Sequence, residues 1–260
     1  MQNTNIYGDK LISLTAGHGV DVASQRADWM DLDACEQITR LCQSIKSQSI
    51  ESQSDEILSL NNRAAPASSS VKTEVFALDI GCGFGGQVFR MAQAGAHSVG
   101  IDNADFNADQ RMAEAARTIT NGSVGFHQQN LMLLPLVGKT ICKTHFDVVI
   151  CQRVIHYLKY NLSEKALSRI RDVLKPGGFL YLSASGLGSE LANEYSAANL
   201  PVRDRFAELG QAMAIRHQIL QPVCLYRLEE LEALVRSAGF VVSRSEVSAF
   251  GNIKVAARKT

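Results

Sequence analysis

The chain has 260 residues, 46% of them hydrophobic, and its 26 basic residues balance its 26 acidic residues. This length and composition suffice for one α/β core, and a minimal domain of this type would leave about 50 to 80 residues for additions. Because the formal net charge is zero, the chain has no general attraction to a phosphate backbone, which disfavours nucleic acid as a partner.

Cellular location is predicted from the composition of the segments. No basic segment followed by an apolar run opens the sequence, and no stretch approaches membrane-spanning length. The six cysteines form no Cys-x-x-Cys pair and scatter through apolar segments, which is typical of free thiols in a reducing compartment. We therefore expect a cytoplasmic protein with no membrane contact, no disulfide and no metal site.

Residues 1–72 are predicted to form an N-terminal helical cap and a Ser-rich connection. Ile38, Leu41 and Ile45 recur at helical spacing within residues 34–45, which predicts an amphipathic helix. Serine, glutamine and asparagine accumulate over residues 44–70, which predicts a mobile segment with one short helix near residues 57–60. Residues 73–260 then form the main domain.

A glycine loop follows the first predicted strand of the main domain. Residues 75–80 are apolar apart from Asp79, as in a buried parallel strand, and residues 87–94 have the pattern of a helix. Between them, Gly81, Gly83 and Gly86 have the spacing of a dinucleotide-binding turn and are expected to take positive φ. Asp102 ends the next apolar run, residues 98–102, where a ribose-binding acid is expected.

Asp79 argues against a dinucleotide as the ligand of this loop. It lies two residues before Gly81, where its carboxylate would repel a pyrophosphate. The same carboxylate suits S-adenosylmethionine, which carries an ammonium and a sulfonium but no phosphate. An NAD-dependent oxidoreductase and a non-catalytic module that binds the adenosyl cofactor remain as alternatives of another class.

The later elements continue the alternation of strands and helices. We predict strands at residues 123–128, 146–152 and 179–185, and a helix at residues 163–174 with Ser163 as its N-cap. A helix at residues 228–238, ended by Gly239, precedes two closing strands at residues 240–247 and 252–257. An insertion, residues 186–226, separates the fifth strand from the penultimate helix and is longer than an ordinary connection.

Residues 75–258 resemble the class I S-adenosylmethionine-dependent methyltransferases. The resemblance rests on Leu78-Asp-Ile-Gly-Cys-Gly-Phe-Gly85, on Asp102-Asn103, on Asn130 with the Leu-Pro pair Leu134-Pro135 behind it, and on Leu174-Lys-Pro-Gly-Gly178. It implies a Rossmann-like, doubly wound α/β fold with a seven-stranded sheet whose last strand is antiparallel. It also implies S-adenosylmethionine as cofactor and methyl transfer as activity.

The resemblance also implies the cofactor-binding residues. Asn130 departs from the family, which usually has Asp there, but an amide oxygen can still accept a hydrogen bond from the adenine amino group. We expect Arg26, from the N-terminal region, to bind the methionine carboxylate. The cofactor-binding residues implied are Asp79, Gly81, Cys82, Gly83, Asp102, Asn103, Asn130, Leu131, Gln152 and Arg26.

The methyl acceptor is expected at the exit of the fourth strand. His156 is the candidate catalytic residue, as a general base or as a group that orients the acceptor. Tyr157, Arg153 and Tyr160 are the candidate substrate-binding residues. In this family the region of the insertion commonly builds the acceptor pocket.

Two arginines of the insertion are weaker candidates for contact with the acceptor. Residues 203–216 are predicted to form an amphipathic helix, on which Arg203 and Arg205 could hold an anionic acceptor. Such arginine pairs are more often solvated or bound in salt bridges.

The acceptor itself is only partly constrained by the sequence. The Asn/Asp-Pro-Pro-aromatic motif of amino-directed nucleobase methyltransferases does not follow the fourth strand. Cys151-Gln-Arg-Val-Ile-His-Tyr157 is similar to a segment of the messenger RNA cap guanine methyltransferases. We expect a small molecule, with a planar heterocycle as the narrower class, and keep a cap-like guanine methyltransferase acting on RNA as the alternative. The attacked atom and the oligomeric state stay open.

Overall fold

The structure is a computed structural model and describes residues 12–14, 17–21, 26–59, 74–106, 109–134 and 145–260. The boundary expected near residues 72 and 73 lies outside these ranges. A short hairpin, β1 (Ile12–Ser13) and β2 (Val20–Asp21), precedes the main sheet. The strands of that sheet are β3 (Phe76–Ile80), β4 (His97–Asp102), β5 (Ser123–Gln128), β6 (Phe146–Gln152), β7 (Leu174–Ser185), β8 (Phe240–Val247) and β9 (Asn252–Lys259).

Within the described residues, these seven strands form one sheet in the order β5-β4-β3-β6-β7-β9-β8. The strands from β3 to β7 pair in parallel, whereas β9 is antiparallel to both β7 and β8. This confirms the predicted doubly wound sheet and its antiparallel last strand. The Lys-Pro-Gly-Gly segment belongs to β7, and the β6–β7 register shifts between Phe146 and Val148.

Helices cover both faces of the sheet because successive residues of each central strand point to opposite faces. Leu78 and Ile80 pack with α4 and α6 in one cluster, and Ala77 packs with α1 and α2 in the other. The helix α3 packs beside α2. The helices are α1 (Trp29–Ser59), α2 (Gly86–Gln93), α3 (Gln110–Arg117), α4 (Tyr160–Val173), α5 (Gln211–His217) and α6 (Leu228–Ser237).

The N-terminal helix is longer than predicted and has a different place. It continues to Ser59, so the prediction of a mobile segment was wrong over residues 46–56. The short helix predicted near residues 57–60 is the end of α1, and residues 60–73 lie outside the described ranges. Glutamine and serine do not break a helix, and the composition of the segment therefore misled the prediction. Met30, Ala34 and Ile38 pack against the sheet, so α1 is a layer of the fold.

Two further helix predictions were wrong in their bounds. The helix α4 begins at Tyr160 with Lys159 as N-cap, and Ser163 lies buried inside it with its hydroxyl donating to the Ile155 carbonyl at 3.2 Å. Residues 203–210 are not helical, and α5 covers Gln211–His217 alone. By contrast, α6 ends as predicted, with Gly239 at a positive φ of 84°.

The insertion forms a small hydrophobic cluster of its own. Leu191, Tyr195 and Val223 are buried in it, and Tyr157 packs against it from the exit of β6. A hydrogen bond of 2.7 Å from the Cys224 amide to the His156 carbonyl ties the insertion to the same exit. None of the described helices combines the length and the apolar character needed to cross a bilayer.

Candidate active site

The topology places a crevice between β3 and β6. The chain runs outward from β3 through β4 to β5, and then returns to the other side of β3 with β6. In open α/β sheets, ligands bind outside the carboxyl ends of the strands at such a switch point. The glycine loop leaves β3 at this edge, Gln152 ends β6 there, and Asp102 ends β4.

The glycine loop is held tightly against its neighbours. Gly81 and Gly83 have positive φ, as predicted, but the third glycine with positive φ is Gly85, because Gly86 begins α2. A Cβ added at Gly81 would lie 2.2 Å from a methyl carbon of Val154, so only glycine fits there. The loop therefore closes directly onto the exit of β6.

Asp79 is a buried carboxylate at the end of β3. Its residue is 5% exposed, and no hydrogen bond from another described residue to its carboxylate is present. Burial, followed by the charges of Asp31 and Asp21, raises the pKa of Asp79 well above its usual value. A carboxylate left in such a place is costly unless a cation or hydrogen-bond donor meets it.

Asp31 is a second buried acid here, and sequence analysis missed it. It comes from the first turn of α1, is 1% exposed, and accepts a 2.6 Å hydrogen bond from the Gln152 side chain. Arg90 of α2 lies 3.7 Å from the same carboxylate oxygen. Burial raises the pKa of Asp31 to about 6, although Arg90 opposes the rise. The contact joins distant parts of the chain, so no local sequence pattern could have revealed it.

Asp102 and its neighbours form the other end of the crevice. The two Asp102 carboxylate oxygens accept hydrogen bonds from the amides of Gly83, at 3.1 Å, and Ala104, at 3.0 Å. Beside them lies an open groove of about 610 Å³, lined by Asn103, Gln128, Gln129, Asn130 and Leu133. Asn103 and Asn130 were both predicted to bind the cofactor, and the structure brings them together in this groove.

Three predicted cofactor residues lie in less direct positions. Leu131 and Cys82 are largely buried in the protein, where their side chains pack rather than face solvent. Arg26 is exposed ahead of α1, and the buried arginine of the site is instead Arg90. The carboxylate-binding role of Arg26 stays a prediction.

Residues 17–21, here called the N-terminal strap, contact both the insertion and the glycine loop. The strap is paired with the insertion through hydrogen bonds from Gly19 N to the Gln218 carbonyl, at 2.9 Å, and from Leu220 N to the Gly17 carbonyl, at 2.8 Å. At its other end, Asp21 accepts a 3.0 Å hydrogen bond from the Phe84 amide of the glycine loop. The strap thus joins the cofactor loop to the insertion.

His156 lies buried in a short helical turn after β6. It is 2% exposed, its Nδ1 lies 3.4 Å from the Ser185 amide, and its Nε2 has no hydrogen-bond partner within the described part of the chain. Burial lowers its pKa to about 3, so the ring is neutral. With Nδ1 accepting from Ser185, the hydrogen-bond pattern assigns the proton to Nε2.

The other predicted acceptor residues divide into two groups. Tyr157 stacks beside His156 with ring centroids 4.3 Å apart, and Arg153 adjoins them with a positive φ of 52°. A non-glycine residue in that conformation is strained, as residues at functional sites often are. Tyr160 instead begins α4, where its ring is largely buried and Arg203 lies 4.7 Å above it.

The two arginines of the insertion are held in salt bridges. Arg203 is paired with Glu164 at 2.9 Å on the surface. The Arg205 side chain is 0% exposed and pairs with Glu230 at 2.6 Å, while it also donates to the carbonyls of Leu200 and Leu225. Arg205 therefore stabilises the insertion, and the weaker prediction that it holds an acceptor was wrong.

Comparison with known proteins agrees with this geometry. Residues 77–178 match a family model described as a methyltransferase domain. The chain is 34% identical over 107 residues to a ubiquinone biosynthesis O-methyltransferase of Haemophilus ducreyi, covering 41% of this chain and 43% of that protein. It is 32% identical over 136 residues to a tRNA U34 carboxymethyltransferase of Psychromonas ingrahamii, covering 52% and 37%. The matches thus span less than half the length of these curated relatives.

A solved structure supports the fold. A S-adenosylmethionine-dependent methyltransferase from Methanosarcina mazei superposes with a TM-score of 0.54 at 22% identity, over 72% of this chain and 92% of that one. The sequence match therefore identifies a methyltransferase domain over residues 77–178, and the likeness to the solved structure shows the fold alone.

Proposed function

We propose that this chain transfers a methyl group from S-adenosylmethionine to a small-molecule acceptor, with a planar heterocycle as the narrower class. The observation that carries the proposal is the buried carboxylate of Asp79, which no described residue satisfies by a hydrogen bond. A cationic cofactor compensates such a carboxylate, whereas a pyrophosphate would be repelled by it. The activity, the acceptor and the residue roles below are parts of this proposal.

Cofactor binding is assigned to the carboxyl edge of the sheet. Asp79 faces the positive end of the cofactor, and Asp102 accepts hydrogen bonds from the ribose hydroxyls. Asn103 and Asn130, which line the groove of about 610 Å³, hold the adenine. Bound S-adenosylmethionine supplies an activated methyl group, so the residues of the chain need chiefly to position the acceptor for in-line attack.

The acceptor is assigned to the exit of β6. Tyr157 and His156 offer two adjacent rings, which suit a planar molecule. Arg153 adds a positive charge next to them. Because the pKa of His156 is lowered to about 3 and its proton lies on Nε2, His156 donates a hydrogen bond that orients the acceptor, and it is a poor general base at neutral pH.

RNA is the second candidate acceptor. The similarity to a tRNA U34 carboxymethyltransferase and the Cys151–Tyr157 segment favour it, but the net charge of zero removes the usual electrostatic support for RNA binding. Methyl transfer to capped RNA or tRNA, in the absence of transfer to metabolites, would support this candidate.

The test combines binding and turnover. Calorimetric titration with S-adenosylhomocysteine and with NAD separates a methyltransferase from an oxidoreductase. Radiolabelled methyl transfer is then measured across phenols, carboxylic acids and nitrogen heterocycles, with capped RNA and tRNA as further arms. Binding of NAD alone would overturn the proposal. Binding of S-adenosylhomocysteine without turnover on any arm would identify a non-catalytic cofactor-binding module.

A further inference from the structure

We propose that Asp31 is a second carboxylate of the site that binds the α-ammonium group of the cofactor, and that Gln152 positions it. The inference extends the cofactor site described above. It does not depend on which acceptor is methylated, so it can fail while the proposed function stands.

The first turn of α1 is fixed at the crevice by three polar contacts. The Asp28 amide donates to one Asp31 carboxylate oxygen at 2.7 Å, and the Met30 amide donates to Asp28 at 2.8 Å. Lys254 of β9 pairs with Asp28 at 2.7 Å. These contacts hold the start of α1, which carries Asp31, and fasten it to β9 of the sheet.

The second oxygen of Asp31 contacts residues at the carboxyl edge of the sheet. It accepts the 2.6 Å hydrogen bond from Gln152, the last residue of β6, which pairs with β3 next to the switch point. Of the charged groups around Asp79, Asp31 raises the pKa of that carboxyl most. Asp31 and Asp79 are therefore close enough for their charges to interact, and Asp31 is bonded to the end of β6 beside β3.

Among the described residues, the charges around Asp31 and Asp79 do not balance. Arg90 lies 3.7 Å from Asp31 and also lowers the pKa of Asp79, but this one guanidinium faces two buried carboxylates, and Asp102 adds further negative charge at Asp79. Excess buried negative charge is costly without a cation. The ammonium of S-adenosylmethionine supplies that cation at the methionine end of the cofactor.

Helix capping alone does not account for Asp31. The cap uses the oxygen that accepts from Asp28, and an asparagine oxygen would serve it equally well. The helix cap does not need the negative charge of the Asp31 carboxylate. The carboxylate is nevertheless buried, and burial raises its pKa.

The experiment compares Asp31→Asn with a matched control, Asp33→Asn, on the same helix. Asp33 accepts a hydrogen bond from the Tyr181 hydroxyl at 2.5 Å and has no contact with Gln152 among the described residues. Affinities are measured by calorimetry for S-adenosylhomocysteine, for its analogue with hydrogen in place of the α-amino group, and for methylthioadenosine, which lacks the amino-acid part. Thermal unfolding of each variant accompanies the titrations.

The proposal predicts that Asp31→Asn lowers the affinity for S-adenosylhomocysteine by about 10- to 100-fold, which is the range expected when a charge-assisted contact is lost. The other two ligands should change by less than about twofold, and Asp33→Asn should leave all three affinities unchanged. Equal losses for all three ligands with Asp31→Asn would reveal a structural role and overturn the proposal. An unchanged affinity for S-adenosylhomocysteine would overturn it as well.

The wild-type protein provides a test that does not depend on a variant folding. The charged and titratable groups that face Asp31 are Asp28 just before α1, Cys35 on the same helix, Arg90 on α2 and Asp79 on β3. As the pH falls from 8 to 5, protonation of Asp31 should lower the affinity for S-adenosylhomocysteine relative to the deaminated analogue. A ratio of the two affinities that stays constant over this range would contradict the proposal.

Discussion

The hydroxyl of Tyr157 donates a 2.8 Å hydrogen bond to the carbonyl oxygen of His18, which lies 139 positions earlier in the chain. The two rings also meet edge to face with centroids 5.0 Å apart. The N-terminal strap is therefore tied to the exit of β6, the same place to which the acceptor is assigned. Gly17 and Gly19, both at positive φ, allow the strap to turn there.

Removing this hydrogen bond should loosen the strap. In Tyr157→Phe, we expect faster hydrogen exchange at the amides of Gly19 and Leu220, because both bonds that pair the strap with the insertion lie beside the lost contact. Tyr160→Phe is the control. Similar exchange rates in wild type and Tyr157→Phe would mean that the strap is held by its backbone pairing alone.

Asp102→Ala should weaken binding of S-adenosylhomocysteine by about 1.5 to 3 kcal/mol, because two charge-assisted hydrogen bonds to the ribose are lost. The variant also leaves the Gly83 and Ala104 amides without their acceptor, so thermal unfolding must be compared in parallel. The measurement is a calorimetric dissociation constant at pH 7. A value equal to that of the wild type would remove Asp102 from the ribose site.

His156 should make the protein less stable in acid. Its pKa is about 3 in the folded chain against a usual 6.5, so the unfolded chain takes up the proton first. The contribution to stability is complete above pH 6.5 and is lost as the pH falls toward 3. Between pH 7 and pH 5 this loss amounts to about 2 kcal/mol.

Urea unfolding at the two pH values measures this loss. In His156→Gln, the part of the stability loss between pH 7 and pH 5 that comes from His156 should disappear. His97 is more exposed than His156, so the control His97→Gln should lose stability as the wild type does. An equal decrease in wild type and His156→Gln would show that the histidine is not buried as a neutral ring. In the proposed function, His156→Gln should also lower turnover while leaving the affinity for S-adenosylhomocysteine nearly unchanged.

Arg205 and Arg203 should differ sharply in their effect on stability. Arg205→Ala leaves Glu230 without its 2.6 Å partner and opens the insertion, which we expect to lower the free energy of unfolding by about 3 kcal/mol. Arg203 is 64% exposed, so Arg203→Ala should leave the unfolding midpoint unchanged. Chemical denaturation of both variants checks the contrast, and equal midpoints would contradict the assignment.

The sequence pattern and the structure disagree in two segments of the chain. The Ser- and Gln-rich segment after Ile45 has the composition of a linker, yet α1 continues through it to Ser59. The predicted helix over residues 203–216 fails in its first half because Arg205 turns inward to Glu230 and to backbone carbonyls. In the first segment, glutamine and serine are simply compatible with a helix. In the second, the local pattern was outweighed by tertiary contacts of Arg205 that no short window of sequence reports.

The sequence by itself determined the order of strands and helices, the glycine turn after β3, and the positions of the acids Asp79 and Asp102 in β3 and β4. These features depend on hydrophobic periodicity and turn chemistry between neighbouring residues, so they can be inferred locally. Only the tertiary structure decided that Asp31 meets Gln152, 121 positions away, and that the N-terminal strap reaches Tyr157. Such contacts form when the sheet brings distant segments to one edge. Burial then strengthens the interactions between their charges, and burial of this kind cannot be inferred from a local sequence pattern.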